Sequence, residues 1–161
     1  MKDFALWLYQ TQLSTAIRNV PSLVAVMQSL HILGVAGVVG SALVSDLRLA
    51  GVLATDESPH AVARRYLPWM WGALVLLLLT GLVQIVGEPN RTLTTTTFWL
   101  KMGMLLVVFA LTLVMRKPLL DPAFDVRAAW WRAHVKPAAW LSLLLWIGVI
   151  VCGRWIAYST T

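Results

Sequence analysis

The stretch SLHILGVAGVVG, residues 29–40, sets one imidazole, His31, in an apolar run and follows it with glycines at 34, 37 and 40. Three more polar side chains interrupt comparable runs: Gln84 in LTGLVQIV, Lys101 in FWLKMGML and Arg154 in VCGRWIAY. An imidazole in hydrocarbon is costly unless something satisfies it, and ionisable groups at such depth mark functional sites by default. The chemistry open to His31 is ligation of a haem iron, ligation of a metal ion in transit, carriage of a proton, or a hydrogen bond to a neighbouring helix. An uncharged Lys101 amine could ligate a metal or carry a proton, whereas a charged one could snorkel to the headgroups. Gln84 could bond a ligand or another helix, and Arg154 could clamp a carboxylate or phosphate or also snorkel.

The elements that must position these groups are membrane spans. Of 161 residues, 59% are hydrophobic and only 12% charged, too apolar for a soluble domain of ordinary composition. The runs approach the ~20 residues that a helix needs to cross the hydrocarbon core. Four spans are expected, at about 22–52, 66–86, 98–115 and 138–158. Pro21, the EPN turn at 88–90, KPLLDP at 117–122 and KPA at 136–138 supply the breaks, and Ser58 caps a helix that starts at Pro59. Short connections imply antiparallel neighbours, so the fold expected is an all-α, up-down four-helix bundle forming one transmembrane domain over residues 1–161. The opening MKDFALWLYQTQ has no basic segment followed by an unbroken apolar stretch, so it reads as a retained, short interfacial helix rather than a cleaved signal.

The formal net charge of +6 is scattered between spans rather than gathered in a stripe, which argues against nucleic acid as a partner. Topology accounts for it. Arg48, Arg64 and Arg65 flank the first loop, and Arg116, Lys117, Arg127, Arg132 and Lys136 lie in the third. The other side has Lys2, Arg18, Arg91 and Arg154, so the positive-inside rule places the two basic loops in the cytoplasm and both termini outside. Asp46 and Arg48 then read as an interfacial charge pair or as contacts to nearby helix ends, and His60 and His134 as solvated loop residues.

His31 falls about 13 Å below the outer entry of the first span. Lys101 lies about a turn inside the third, which runs in the same direction, and Gln84 and Arg154 also fall in the outer half. Gly34 opens space one turn beyond His31 on the same face, as a helix contact or as a landing surface for a flat cofactor. Ala36-xxx-Gly40 and Gly37-xxx-Ser41 fit the small-residue spacing of close helix contacts. Met27, Met102, Met104 and Cys152 are types that suit Cu(I), and equally types that fill apolar cores. There is no phosphate loop, HExxH or carboxylate pair, which leaves hydrolase and nucleotide-dependent readings without support.

SLHILGVAGVVGSALVSDLRLAG, RRYLPWMWGALVLLLLTGL, TFWLKMGMLLVVFALTLV and SLLLWIGVIVCGRWIAY together resemble an uncharacterised family of small four-span bacterial inner-membrane proteins. The first-span histidine and third-span lysine are also similar to those of the HemJ-type protoporphyrinogen oxidases. That resemblance implies haem b with His31 and Lys101 as axial ligands. The copper-resistance protein D group, with a similar histidine and lysine, implies copper transfer instead.

The function expected first is a haem-b-binding redox protein of the bacterial inner membrane. It would exchange electrons with a quinone or a redox protein, with Gly34 giving the porphyrin room and Arg154 holding a propionate. A copper or small-solute transporter and a structural or assembly subunit are the other two classes.

Overall fold

The computed structural model describes residues 2–158, and no strand occurs among them. Two short helices, α1 (Lys2–Tyr9) and α2 (Gln12–Arg18), precede the long α3 (Pro21–Ala50) and α4 (Pro59–Gly87). A single turn, α5 (Pro89–Leu93), leads into α6 (Thr96–Leu111), which continues through a π turn, Thr112–Arg116, and a 3₁₀ turn, Lys117–Leu120. The chain closes with α7 (Ala129–Tyr158). Four segments are long and apolar enough to cross a membrane: Pro21–Ala50, Pro59–Gly87, Thr96–Leu120 and Ala129–Ile156. By these four helices the chain is a multi-pass membrane protein, and its contacts are those of a helical bundle.

Local sequence sets the boundaries. Ser58 takes an N–H bond from Ala61, with Pro59 as the first helical residue, as its position before a proline predicts. Gly51 ends α3 at φ +81°, the left-handed conformation in which a side chain would be strained. The fourth span starts at 129, nine residues before the expected 138, because Pro137 sits inside the helix rather than opening it. Proline has no N–H to give the Ala133 carbonyl, so that one backbone bond is missing, and Ala133 is exposed.

Large apolar residues face outward, as lipid requires. Ile32, Leu33, Leu78, Leu106, Leu144 and Ile147 are each 59% exposed or more, whereas Val38, Ala42, Leu67, Met70, Val108, Trp146 and Val149 form the central core. The closest pair is α3 and α4. A Cβ at Gly34 would lie 3.0 Å from Leu77, and one at Gly37 would lie 3.1 Å from Ala73. Gly37 thus makes the expected small-residue contact, but Gly40 faces nothing within 4 Å and Ala36 is exposed.

Over the end that carries both termini, α1 and α2 fold back onto the bundle. Ala5, Leu93, Phe98 and Ile156 form a second core with Leu8, Ile85 and Met102 around it. Arg18 fastens the two short helices by donating to the Tyr9 carbonyl at 3.0 Å and to the fully buried Ser14 hydroxyl at 2.7 Å. Phe4, Leu6, Trp7 and Leu13 remain exposed, which suits a helix pair lying at the bilayer surface.

Gly34→Val forces Leu77 and the α4 backbone aside and is expected to destabilise the protein by about 1–3 kcal/mol. Gly40→Val, in open space, should leave the thermal unfolding midpoint of the detergent-solubilised protein near that of the wild type.

Candidate functional site

Polar groups gather at two depths, one toward each end of the bundle. His31 lies about 15 Å along α3 from Pro21, and Thr80 about 10 Å along α4 from Gly87, so the antiparallel helices bring them level. His31 Nδ1 and Thr80 Oγ1 are 2.8 Å apart. A hydroxyl has one hydrogen, and that of Thr80 is donated to the Leu76 carbonyl at 2.7 Å, leaving the oxygen to accept. With that hydrogen on Leu76, Nδ1 is the donor to Thr80, and Nε2 of an uncharged ring keeps its lone pair. Gly81 makes room for the ring: a Cβ there would lie 3.6 Å from His31 Cε1.

Lys101 stands about 7 Å along α6 from Thr96, on the same half as His31. It lies within electrostatic range of the imidazole, but no hydrogen bond joins the two. Its Nζ lies against α7, 3.6 Å from where a Cβ of Gly153 would be, and it is also within electrostatic range of Cys152. Gln84, one turn beyond Thr80, has its amide nitrogen buried without a partner.

Two expected site residues stand apart. Gly34 is level with the α4 contact, and the clearance it gives is filled by Leu77 rather than left open to a flat ligand. Arg154 is exposed near the end of α7, where it bonds and stacks on Tyr158, with its guanidinium carbon 4.7 Å from the ring centroid. The sulfur groups are dispersed: Met104 lies against Gly148, and Met102 joins the core under α1. No group of three His, Cys, Asp or Glu side chains able to hold a metal occurs among the described residues.

The second polar cluster lies toward the basic loops, and here the expected pairing is corrected. Asp46 does not pair with Arg48, whose Nε donates to the Glu57 carbonyl at 2.7 Å. Its partner is Arg116, which is not in a loop but 3% exposed at the end of the π turn. The guanidinium spreads its donors over Asp46 Oδ1, Ser142 Oγ (3.1 Å), Met70 Sδ (3.1 Å) and Thr112 Oγ1 (3.5 Å). One arginine thereby ties all four spans together. π turns recur at functional sites, and this one sits beside a charge held in the apolar part of the bundle.

Thr80 and Arg116 are the participants that sequence patterns miss. Thr80 was visible only as the lone hydroxyl in LVLLLLTGLV, at the depth of His31. Arg116 was hidden among loop cations, although a carboxylate inside the first span demands a counter-charge from another.

Fold and site define a four-span membrane protein with a histidine oriented by a neighbouring span at one end and a buried ion pair at the other. The chain belongs to the family of unknown function DUF6644, whose model matches residues 13–159. No curated protein and no solved structure matches it.

Arg116→Leu leaves Asp46 without its counter-charge and should cost about 3–5 kcal/mol. Replacing Asp46 by leucine in that variant should recover most of the loss, read as the unfolding midpoint in the same detergent.

Proposed function

We propose that this protein binds haem b in the half of the bundle that carries both termini and exchanges electrons with a partner in the membrane, a quinone or a redox protein. The observation that supports this best is the His31–Thr80 hydrogen bond. A ligating histidine almost always donates its other ring N–H to an oxygen acceptor, which fixes the tautomer and raises the basicity of the ligand nitrogen. The donor set fits: Nε2 of His31 has its lone pair free, and Lys101 offers an amine within electrostatic range.

In this reading His31 would ligate the iron and Lys101 would be the second ligand. Gly81 and Gly153 give the ring and the amine room to seat against α4 and α7. Gln84 offers a buried N–H to a ligand edge, and Arg154, at headgroup level, offers charge to a propionate. Haem held there by His31 and Lys101 would supply one-electron chemistry. α1 and α2 pack over that end of the bundle, and in this reading the electron partner docks at the membrane surface or in the lipid. The cation distribution supports an orientation with the basic loops cytoplasmic and both termini outside, in the bacterial inner membrane that the resemblance implies.

Protein expressed with an ample haem supply and purified in detergent should show a Soret band that His31→Ala abolishes and Thr80→Val weakens. A wild type without that band, or a spectrum unchanged in His31→Ala, contradicts the reading. Copper retained by the wild type in the absence of haem would favour metal transfer instead.

A further inference from the structure

The two partners in the buried ion pair are unequally satisfied. Arg116 has three neutral acceptors, Ser142, Thr112 and Met70, in addition to the carboxylate. Asp46 is 1% exposed, takes the guanidinium on Oδ1 alone, and has Oδ2 buried without any partner. Arginine commonly meets a carboxylate with two parallel bonds. This one divides its donors, which leaves the acid, not the base, with unused hydrogen-bonding capacity.

Two voids, each about the size of one water molecule, flank the guanidinium. One is bordered by Asp46, Arg116 and Ser142 together with Met115 and Ala139. Ser142 accepts from Arg116 and so keeps its own hydroxyl hydrogen to give. The other void reaches Arg48 and Pro59, next to the loop at the basic end. Asp46 is only about 6 Å along α3 from Ala50, so the aqueous phase is one helical turn away.

We propose that Asp46 is a proton-exchange site, whose Oδ2 takes up a proton from the aqueous phase at the basic end and returns it there. A hydronium or protonated buffer gives up the proton, an O–H bond forms at Oδ2, and the donor leaves as water or free base. No electron moves and Arg116 keeps its charge, held by its three neutral acceptors. The charged group that acts on Asp46 is Arg116, from the third span. The fourth span presents Ser142, and the second presents Val62, Ala63, Leu67 and Met70, none of which titrates. On its own helix, Arg48 is turned to the Glu57 carbonyl. Carboxylates inside membranes mark proton pathways, and this site is independent of the haem reading.

Infrared difference spectra of the full-length wild type, taken between about pH 4 and pH 9 so as to bracket ordinary carboxylates, test the proposal. They should contain a C=O band of a carboxylic acid in apolar surroundings that shifts in D₂O. The band should be lost in Asp46→Asn and kept in Asp121→Asn, which removes an exposed carboxylate. Where Asp46→Asn does not accumulate, Ser142→Ala, which keeps both charges, should shift the band frequency. Absence of the band from the wild type, its persistence in Asp46→Asn, or an unchanged frequency in Ser142→Ala overturns the proposal.

Discussion

The hydrogen bond between His31 and Thr80 organises the half of the bundle toward the termini. Lipid offers neither donor nor acceptor, so a polar side chain in a span is satisfied by another span or by a ligand. The threonine hydroxyl gives its one hydrogen to its own helix at Leu76 and has only its lone pairs for the imidazole. With that hydrogen on Leu76 the ring donates from Nδ1, its far nitrogen is left as a base, and the bond joins α3 to α4. The glycine contacts at 34, 37 and 81 let the two backbones come close enough for the bond to form.

The two ends of the bundle solve the same problem differently. Toward the termini, groups are oriented but left with capacity: the Nε2 lone pair, the Lys101 amine and the Gln84 amide. Toward the basic loops, Arg116 draws Asp46, Ser142, Met70 and Thr112 from four spans into one knot. Breaking a buried pair strands a charge, and for that reason the knot holds the helices in register more than it adds net stability. The apolar core of Val38, Ala42, Val108, Trp146 and Val149 lies between the two clusters, and Leu67 and Met70 continue it to Arg116.

Much of the fold was legible in the sequence because lipid makes hydropathy a strong signal. The four spans, the Ser58 cap and a helix at the start all follow from apolar run length and local capping chemistry, though the opening divides into two helices rather than one. The start of α7 was not legible, since Pro137 reads as a boundary and tertiary contacts of Trp131 and Val135 carry the helix through it. The glycine spacing predicted a contact face but not which members would use it: Gly34 and Gly37 meet α4, and Gly40 meets nothing. For the site, His31 and Lys101 stood out as ionisable groups in apolar runs. Thr80, Ser142 and Met70 did not, because a hydroxyl or thioether there costs too little to look anomalous. Arg116 was disguised by its neighbours Lys117 and Pro118, which resemble a loop.

The state of the His31 ring can be read directly by ¹⁵N NMR of histidine-labelled protein prepared without added haem, with His60 and His134 replaced so that one imidazole remains. A proton on Nδ1 and a bare Nε2, with the Nδ1 proton becoming labile in Thr80→Val, is the pattern that the hydrogen-bond geometry requires. A proton on Nε2, or a ring signal indifferent to the loss of the threonine hydroxyl, would mean that Thr80 does not orient the imidazole and that the free nitrogen is not the one facing a ligand.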